Sequence, residues 1–139
     1  MPQKLDSARE AEIRADFPRY PFPAYLGIEI ESLETGCARL SLKHKPELTQ
    51  GMGYIHGGVL TSLCDTAVAV ALFTITEEGE KILTVELKVN FLAPAAGDVL
   101  ATAKILHKGR RTAVGEVDVI GADDALVAKA LVTYYVYRD

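Results

Sequence analysis

From Lys81 to the C-terminus the chain alternates apolar and polar positions, the two-residue period of half-buried strands. The segments "KILTVELKVNFLAP", "DVLATAKILH", "RTAVGEVDVIG" and "ALVAKALVTYYVYR" read as strands in series, separated at Pro94–Asp98, Lys108–Arg110 and Ala122–Asp124. In the first of them Val85, Leu87, Val89 and Phe91 are expected on one face, and Glu86, Lys88 and Asn90 on the other. Earlier in the chain "LGIEIESLETG" and "CARLSLK" show the same alternation and predict a hairpin that turns at Thr35-Gly36. Between the two groups lies a loop, "HKPELTQGMGYIHGG", followed by a stretch with a different pattern. Val59–Thr76 is apolar on nearly every side and predicts a central helix that ends before "EEGEK". At the N-terminus, "DSAREAEIRADF" carries Ser7 with Glu10 three residues later, a capping-box pattern for a short helix, and "PRYPFPAY" reads as a proline-broken connector.

A helix apolar nearly all round needs burial on most sides, and a long antiparallel sheet wrapped around it supplies that burial. The order of elements therefore predicts an α+β fold with one helix on one face of the sheet. Exposed edge strands and a half-covered sheet favour pairing with a second copy of the chain.

Composition narrows the class. A chain of 139 residues predicts one domain with a core that needs neither disulfides nor metal. A net charge of -4 argues against a nucleic-acid-binding protein, while leaving room for a small basic patch on a phosphorylated ligand. Cys37 and Cys64 form no disulfide framework and are expected as buried free thiols. The charged N-terminus has no apolar run of a secretory signal, so a cytoplasmic protein is expected. The greasy helix is not read as a membrane span, because Asp65 at its middle would cost about 3 kcal/mol on insertion.

Three features could carry chemistry. The first is "HGG" at His56–Gly58, where glycines precede a helix N-terminus with its partial positive charge and unpaired N–H groups. Such a terminus suits an oxyanion or a phosphate, although Gly57 and Gly58 could equally serve a tight turn and close helix–sheet packing. The second is Asp65. A lone carboxylate in an apolar segment is either capped by nearby hydroxyls, such as Thr61 or Ser62, or tuned by desolvation as a general base. From Gly57 to Asp65 is eight residues, about 12 Å along one helix, too far for both to act on one carbonyl. If both act in one reaction, Asp65 must come from another subunit and catalysis requires a dimer. The third is the basic cluster Lys108, Arg110 and Arg111 in "HKGRRT", which reads either as a solvated turn or as a phosphate clamp.

Other chemistries lack support. His44, His56 and His107 have no metal-ligand spacing with one another or with the cysteines, so no metal is assigned. Cys64 beside Asp65 reads as core, since a thiolate there would be disfavoured. Ser62 does not sit in a Gly-x-Ser-x-Gly elbow. Tyr54 and Phe73 are candidates for an aromatic pocket, with core packing the default for Phe73.

Taken together, "GMGYIHGGVLTSLCDTAVAVA", "LTVELKVNFLAPAAGD" and "KGRRTAVGEVDV" resemble the hot-dog-fold thioesterases of the phenylacetyl-CoA thioesterase-like (PaaI-like) branch. That branch has an Asn shortly before Gly-x-x-His-Gly-Gly, then a helix with Leu-x-Asp-x-Ala. The resemblance covers residues 25–137, and it implies a hot-dog domain over residues 25–139 after an N-terminal helix and connector at 1–24. It implies hydrolysis of an acyl- or aryl-CoA thioester, with no cofactor beyond the CoA of the substrate. It further implies a homodimer at minimum, commonly a homotetramer of two dimers. Gly57 matches the backbone N–H that polarises the carbonyl, with Gly58 beside it at the ligand. Asp65 matches the carboxylate that acts across the subunit boundary as base or nucleophile. His56 matches a loop-supporting position near the thioester. Thr84 matches a position that orients water or the aspartate. Arg110 and Arg111 fall where the branch often places basic residues near the nucleotide end of CoA, and Lys108 of the same cluster is expected to bind CoA with them. Gln50 stands where the branch usually has Asn; its amide keeps the same donor and acceptor at the end of a longer side chain.

Two other readings compete. A hot-dog dehydratase would need a His-Phe-Pro run, which is absent. A non-catalytic acyl-CoA-binding module would not need Asp65, and a thioester hydrolysis assay separates it from an enzyme.

Overall fold

The structure, a computed structural model, describes residues 3–139. Six antiparallel strands form one sheet in the order β1-β2-β4-β5-β6-β3. They are β1 (Glu29–Glu34), β2 (Cys37–Leu42), β3 (Lys81–Phe91), β4 (Val99–Lys108), β5 (Thr112–Ile120) and β6 (Leu126–Tyr137). The hairpin β1–β2 turns at Thr35 and Gly36, as its alternation predicts, with Gly36 at φ 74°. β3 pairs with β6 rather than with β4, which leaves it at the sheet edge.

The central helix α3 (Gly57–Phe73) lies on one face of this sheet. Leu60, Leu63, Cys64, Ala67, Val68, Ala71 and Leu72 are buried on it. They meet an inner sheet face built largely from small and β-branched residues, among them Ala101, Ala103, Ala113, Val117, Ala128, Ala130 and Val132. Burying one such Leu or Val stabilises the fold by about 1.5–3 kcal/mol before ordering entropy is counted. Small residues let the helix sit close. At Gly115 a Cβ would lie 2.8 Å from Val68 Cγ1, so only glycine fits beneath the helix there.

Several local expectations change. The cap of α1 (Ser7–Asp16) is Asp6, whose carboxylate accepts from the Ala8 and Arg9 N–H groups at 3.1 Å. Asp outcompetes a box centred on Ser7 because it meets two orphan donors with one charged group. The proline-rich connector is ordered as a 3-10 turn at Phe17–Arg19 followed by α2 (Pro21–Leu26). Prolines at the first helical positions allow this, since their missing N–H would be unpaired there anyway. α3 starts two residues before Val59, on the glycines themselves. Cys37 is only partly buried, whereas Cys64 is fully enclosed.

The most consequential change is in β3. Thr84 pairs with Tyr134 and Glu86 with Thr133, so Val85 is an extra, bulged residue. The bulge reverses the alternation. Ile82 and Thr84 share the helix-facing side with Leu87, Val89 and Phe91, while Val85 is displaced and 62% exposed. Period-two reading alone puts Thr84 on the wrong face.

Arg9 ties α1 to the end of α3: its Nε donates to the Phe73 carbonyl at 2.8 Å. Among the described residues, no helix is long and apolar enough to cross a membrane.

Candidate active site

The amino end of α3 is shaped by the loop before it. Gln50 N–H donates to Tyr54 C=O at 2.8 Å and Gly53 N–H to Gln50 C=O at 3.1 Å, with Gly53 at φ 85°. His56 N–H donates to Leu48 C=O and Ile55 N–H to Ala95 C=O, which fixes where the helix begins. His56 is the N-cap: its Nδ1 accepts from Gly58 N–H at 2.8 Å, which puts the neutral ring's proton on Nε2. Val59 and Leu60 N–H groups both turn to the His56 carbonyl. Of the first-turn donors, Gly57 N–H alone has no protein acceptor among the described residues. Gly58 can offer a ligand close approach, but its N–H is already committed to His56.

A groove of about 410 Å³ opens at this end, lined by Gln50, Met52, Tyr54, Gly57, Leu60 and Phe91 among others. Its walls are mainly apolar, with the Gly57 N–H and the Gln50 amide as polar points. Gln50 Oε1 accepts from the Met52 N–H, so its amide NH₂ is the group left for a ligand. The Phe91 ring stands 3.3 Å from where a Cβ on Gly57 would be.

Asp65 lies two turns further along α3, half-buried. Thr61 and Ser62 do not cap it: their hydroxyls donate back to the Gly57 and Gly58 carbonyls at 2.8 and 2.9 Å, the local bond available to Ser and Thr within a helix. The partners of Asp65 come from the sheet. Thr84 Oγ1 donates to Oδ1 at 2.9 Å, and Tyr134 Oη reaches the same oxygen at 2.6 Å. Burial, then the hydrogen bond to Asp65, raise the Tyr134 phenol well above its ordinary range, so it remains a donor. The neighbouring Cys64 thiol is pushed up to about 12 by burial and by the Asp65 charge, which excludes it as a thiolate.

Gly57 and Asp65 thus share α3, and the helical rise keeps them about 12 Å apart. The basic cluster lies at the Asp65 end. Tyr134 pairs with Ala113, and Arg111 C=O accepts from Val136 N–H, so the β4–β5 turn sits beside the strand that carries Tyr134. Arg110 and Arg111 line a polar cleft of about 550 Å³ with Glu77, Glu80, Tyr135 and Arg138. Lys108 differs from the two arginines. Its Nζ is 3.0 Å from Glu80 Oε2 with both side chains largely covered, so it is neither a solvated turn residue nor a free phosphate ligand.

His44 braces the loop, its Nε2 lying 2.9 Å from Gly53 C=O. Tyr54 lines the groove, whereas Phe73 packs on Tyr20 at a centroid distance of 6.0 Å near the other end of α3. Tyr134 escaped the sequence reading. The signal was a tyrosine in the row Ala128, Ala130, Val132, Tyr134, Val136, because a hydroxyl on a buried apolar face needs a partner.

The thioesterase superfamily model matches residues 52–128, from the loop through β6's first residues. The chain is 35% identical over 103 residues to 1,4-dihydroxy-2-naphthoyl-CoA hydrolase of Listeria monocytogenes, covering 73% of this chain and 84% of that protein. It is 30% identical over 132 residues to the medium/long-chain acyl-CoA thioesterase YigI of Escherichia coli, covering 84% and 85%. Among solved structures it is similar to the E. coli PaaI protein from the phenylacetic acid degradation operon, with a TM-score of 0.86, 25% identity and 96% of each chain covered. The sheet around α3 is a hot-dog fold.

Proposed function

The chain belongs to the thioesterase superfamily, and from that premise we propose that it hydrolyses an acyl- or aryl-CoA thioester to the free acid and CoA. The observation that carries the proposal is the division of α3. An open backbone N–H at Gly57 and an accessible carboxylate at Asp65 lie too far apart to serve one carbonyl. Each site therefore takes Gly57 from one chain and Asp65 from its partner, and the working unit is a homodimer at minimum, assembled further into a homotetramer. β3, an edge strand with Leu83 and Val85 exposed, is the surface through which two sheets would join.

In the reaction, Gly57 N–H donates to the thioester carbonyl oxygen, and the bond strengthens as that oxygen gains negative charge. The acyl group occupies the apolar groove, with the Gln50 NH₂ at its polar end. Asp65 of the partner either takes a proton from the attacking water or attacks the carbonyl carbon itself, and water then opens the resulting anhydride. On both routes the C–S bond breaks and the CoA thiolate leaves. Thr84 holds Asp65, His56 holds the loop, and Gly58 leaves room for the ligand. Arg110 and Arg111 pair with phosphates of CoA. The catalytic unit spans residues 25–139, behind the N-terminal helix and connector, in a cytoplasmic protein.

The test is a panel of phenylacetyl-, hydroxybenzoyl- and medium-chain acyl-CoA esters assayed for free CoA, with wild type and Asp65→Asn. Turnover by wild type and its near-loss in Asp65→Asn are expected, with ester binding retained. Binding without turnover by wild type would make the protein an acyl-CoA-binding module instead.

A further inference from the structure

We infer that Tyr134 is a positioning residue that fixes the rotation of the Asp65 carboxylate and leaves Oδ2 as its working oxygen. The inference rests on the catalytic role proposed for Asp65 and adds which atom acts and what aims it.

Tyr134 is 4% exposed and stands on the inner face of β6, where its neighbours in the row are Ala, Val and Val. A phenol placed there needs a hydrogen-bond partner, and Asp65 is the partner it has. The Oη lies 2.6 Å from Oδ1 and 2.8 Å from the Asp65 backbone carbonyl. It has one proton for two acceptors, and the charged carboxylate is the stronger of them. Thr84 Oγ1 donates to the same Oδ1 at 2.9 Å. Two donors therefore converge on one oxygen, while Oδ2 accepts from no group among the described residues. A carboxylate held this way cannot turn about its Cβ–Cγ bond without breaking both bonds. Oδ1 is occupied, and Oδ2 is the oxygen left to meet water or a carbonyl carbon.

The two donors are unequal supports. Thr84 sits on the edge strand β3, placed by the Val85 bulge, whereas Tyr134 sits on β6, paired on both sides by β5 and β3. Tyr134 is the rigid member. The groups bearing on Asp65 are Tyr134 from β6, Thr84 from β3 and the neutral Cys64 thiol on α3; no lysine, arginine or histidine among the described residues pairs with it. The hydroxyls thus supply the polar stabilisation of the charged carboxylate.

Tyr134→Phe keeps the ring and deletes the donor. The expected result is a fall in kcat of about 10- to 100-fold with KM unchanged. Site-specific 3-fluorotyrosine at position 134 keeps the donor in nearly the same shape; it should hold kcat near wild type, and it serves if phenylalanine is not tolerated. A wild-type kcat in Tyr134→Phe, or a 3-fluorotyrosine variant as slow as Tyr134→Phe is expected to be, alongside an inactive Asp65→Asn, would overturn the inference. An active Asp65→Asn would instead remove the reading on which it rests.

Discussion

The first and third turns of α3 are built on opposite principles. At the first turn the proposed functional group is backbone, and side chains are kept out of its way. Gly57 and Gly58 carry none, His56 takes up the Gly58 N–H, and loop hydrogen bonds to Leu48 and Ala95 hold the turn in place. At the third turn the proposed functional group is a side chain, held by other side chains. Asp65 depends on hydroxyls from two strands, brought within reach by a bulge in one of them. A backbone donor needs local geometry only. A carboxylate in an apolar helix needs partners that are distant in sequence, because α3 itself has none to give.

The largest effects should come from disabling each turn separately and then recombining them. Asp65→Asn is expected to lower kcat about 10²–10⁴-fold. For the first turn, Gly57→Pro is the matching lesion. Proline suits the first helical position, where no helix hydrogen bond is lost, and His56 already has the extended backbone (φ -59°, ψ 137°) that a following proline requires. It deletes the open Gly57 N–H and should lower kcat about 10²–10³-fold. Gly57→Ala crowds Phe91 in the same way but keeps the N–H, so it should stay far more active. Co-refolding the aspartate and proline variants should restore roughly a quarter of wild-type activity, since mixed dimers hold one intact site. Failure to restore any activity in verified mixed dimers would place both groups in one chain's site.

A smaller effect should separate the arginines from the two turns of α3. Arg110→Ala and Arg111→Ala should each raise KM about tenfold and leave kcat close to wild type, because a phosphate contact is made equally in ground and transition states. Dephospho-CoA esters would sharpen this: if an arginine meets the ribose phosphate, its substitution should matter less with them. A fall in kcat without a change in KM would move the arginines into the reaction itself.

The same contrast explains what could be read from the chain. The glycines, the helix and its length, and the eight-residue offset from Gly57 to Asp65 are local facts, and the dimer argument followed from them. Element order was legible because periods of two and of a helix differ so strongly here. Thr84 came from a resemblance and not from its pattern, since the Val85 bulge shifts it to the face that alternation denies it. Tyr134 was missed because its partner is 69 residues away: a hydroxyl on an apolar row announces that it needs a partner without showing which one. Asp6 displaced Ser7 as a cap because two candidates one residue apart differ only in the geometry they finally adopt.

Lys108 sharpens the contrast last, with the smallest effect. It lies in the same turn as the arginines, yet it is held by Glu80. The Glu77 N–H, at 2.8 Å, and then Lys108 favour the ionised Glu80 carboxylate and hold it below the ordinary glutamate value of 4.5. A depressed carboxyl contributes stability above its unfolded value, and that contribution is lost as pH falls through the folded one. Thermal unfolding should therefore show wild type more stable than Glu80→Gln at pH 7, with the two curves converging as pH falls from the unfolded value through the lower folded one. Lys108→Met should reproduce part of that stability loss while leaving KM for CoA esters near wild type, unlike the arginine variants. A KM for Lys108→Met that rises as far as theirs would mean the lysine leaves Glu80 for the ligand, and the pair would then be a latch rather than a strut.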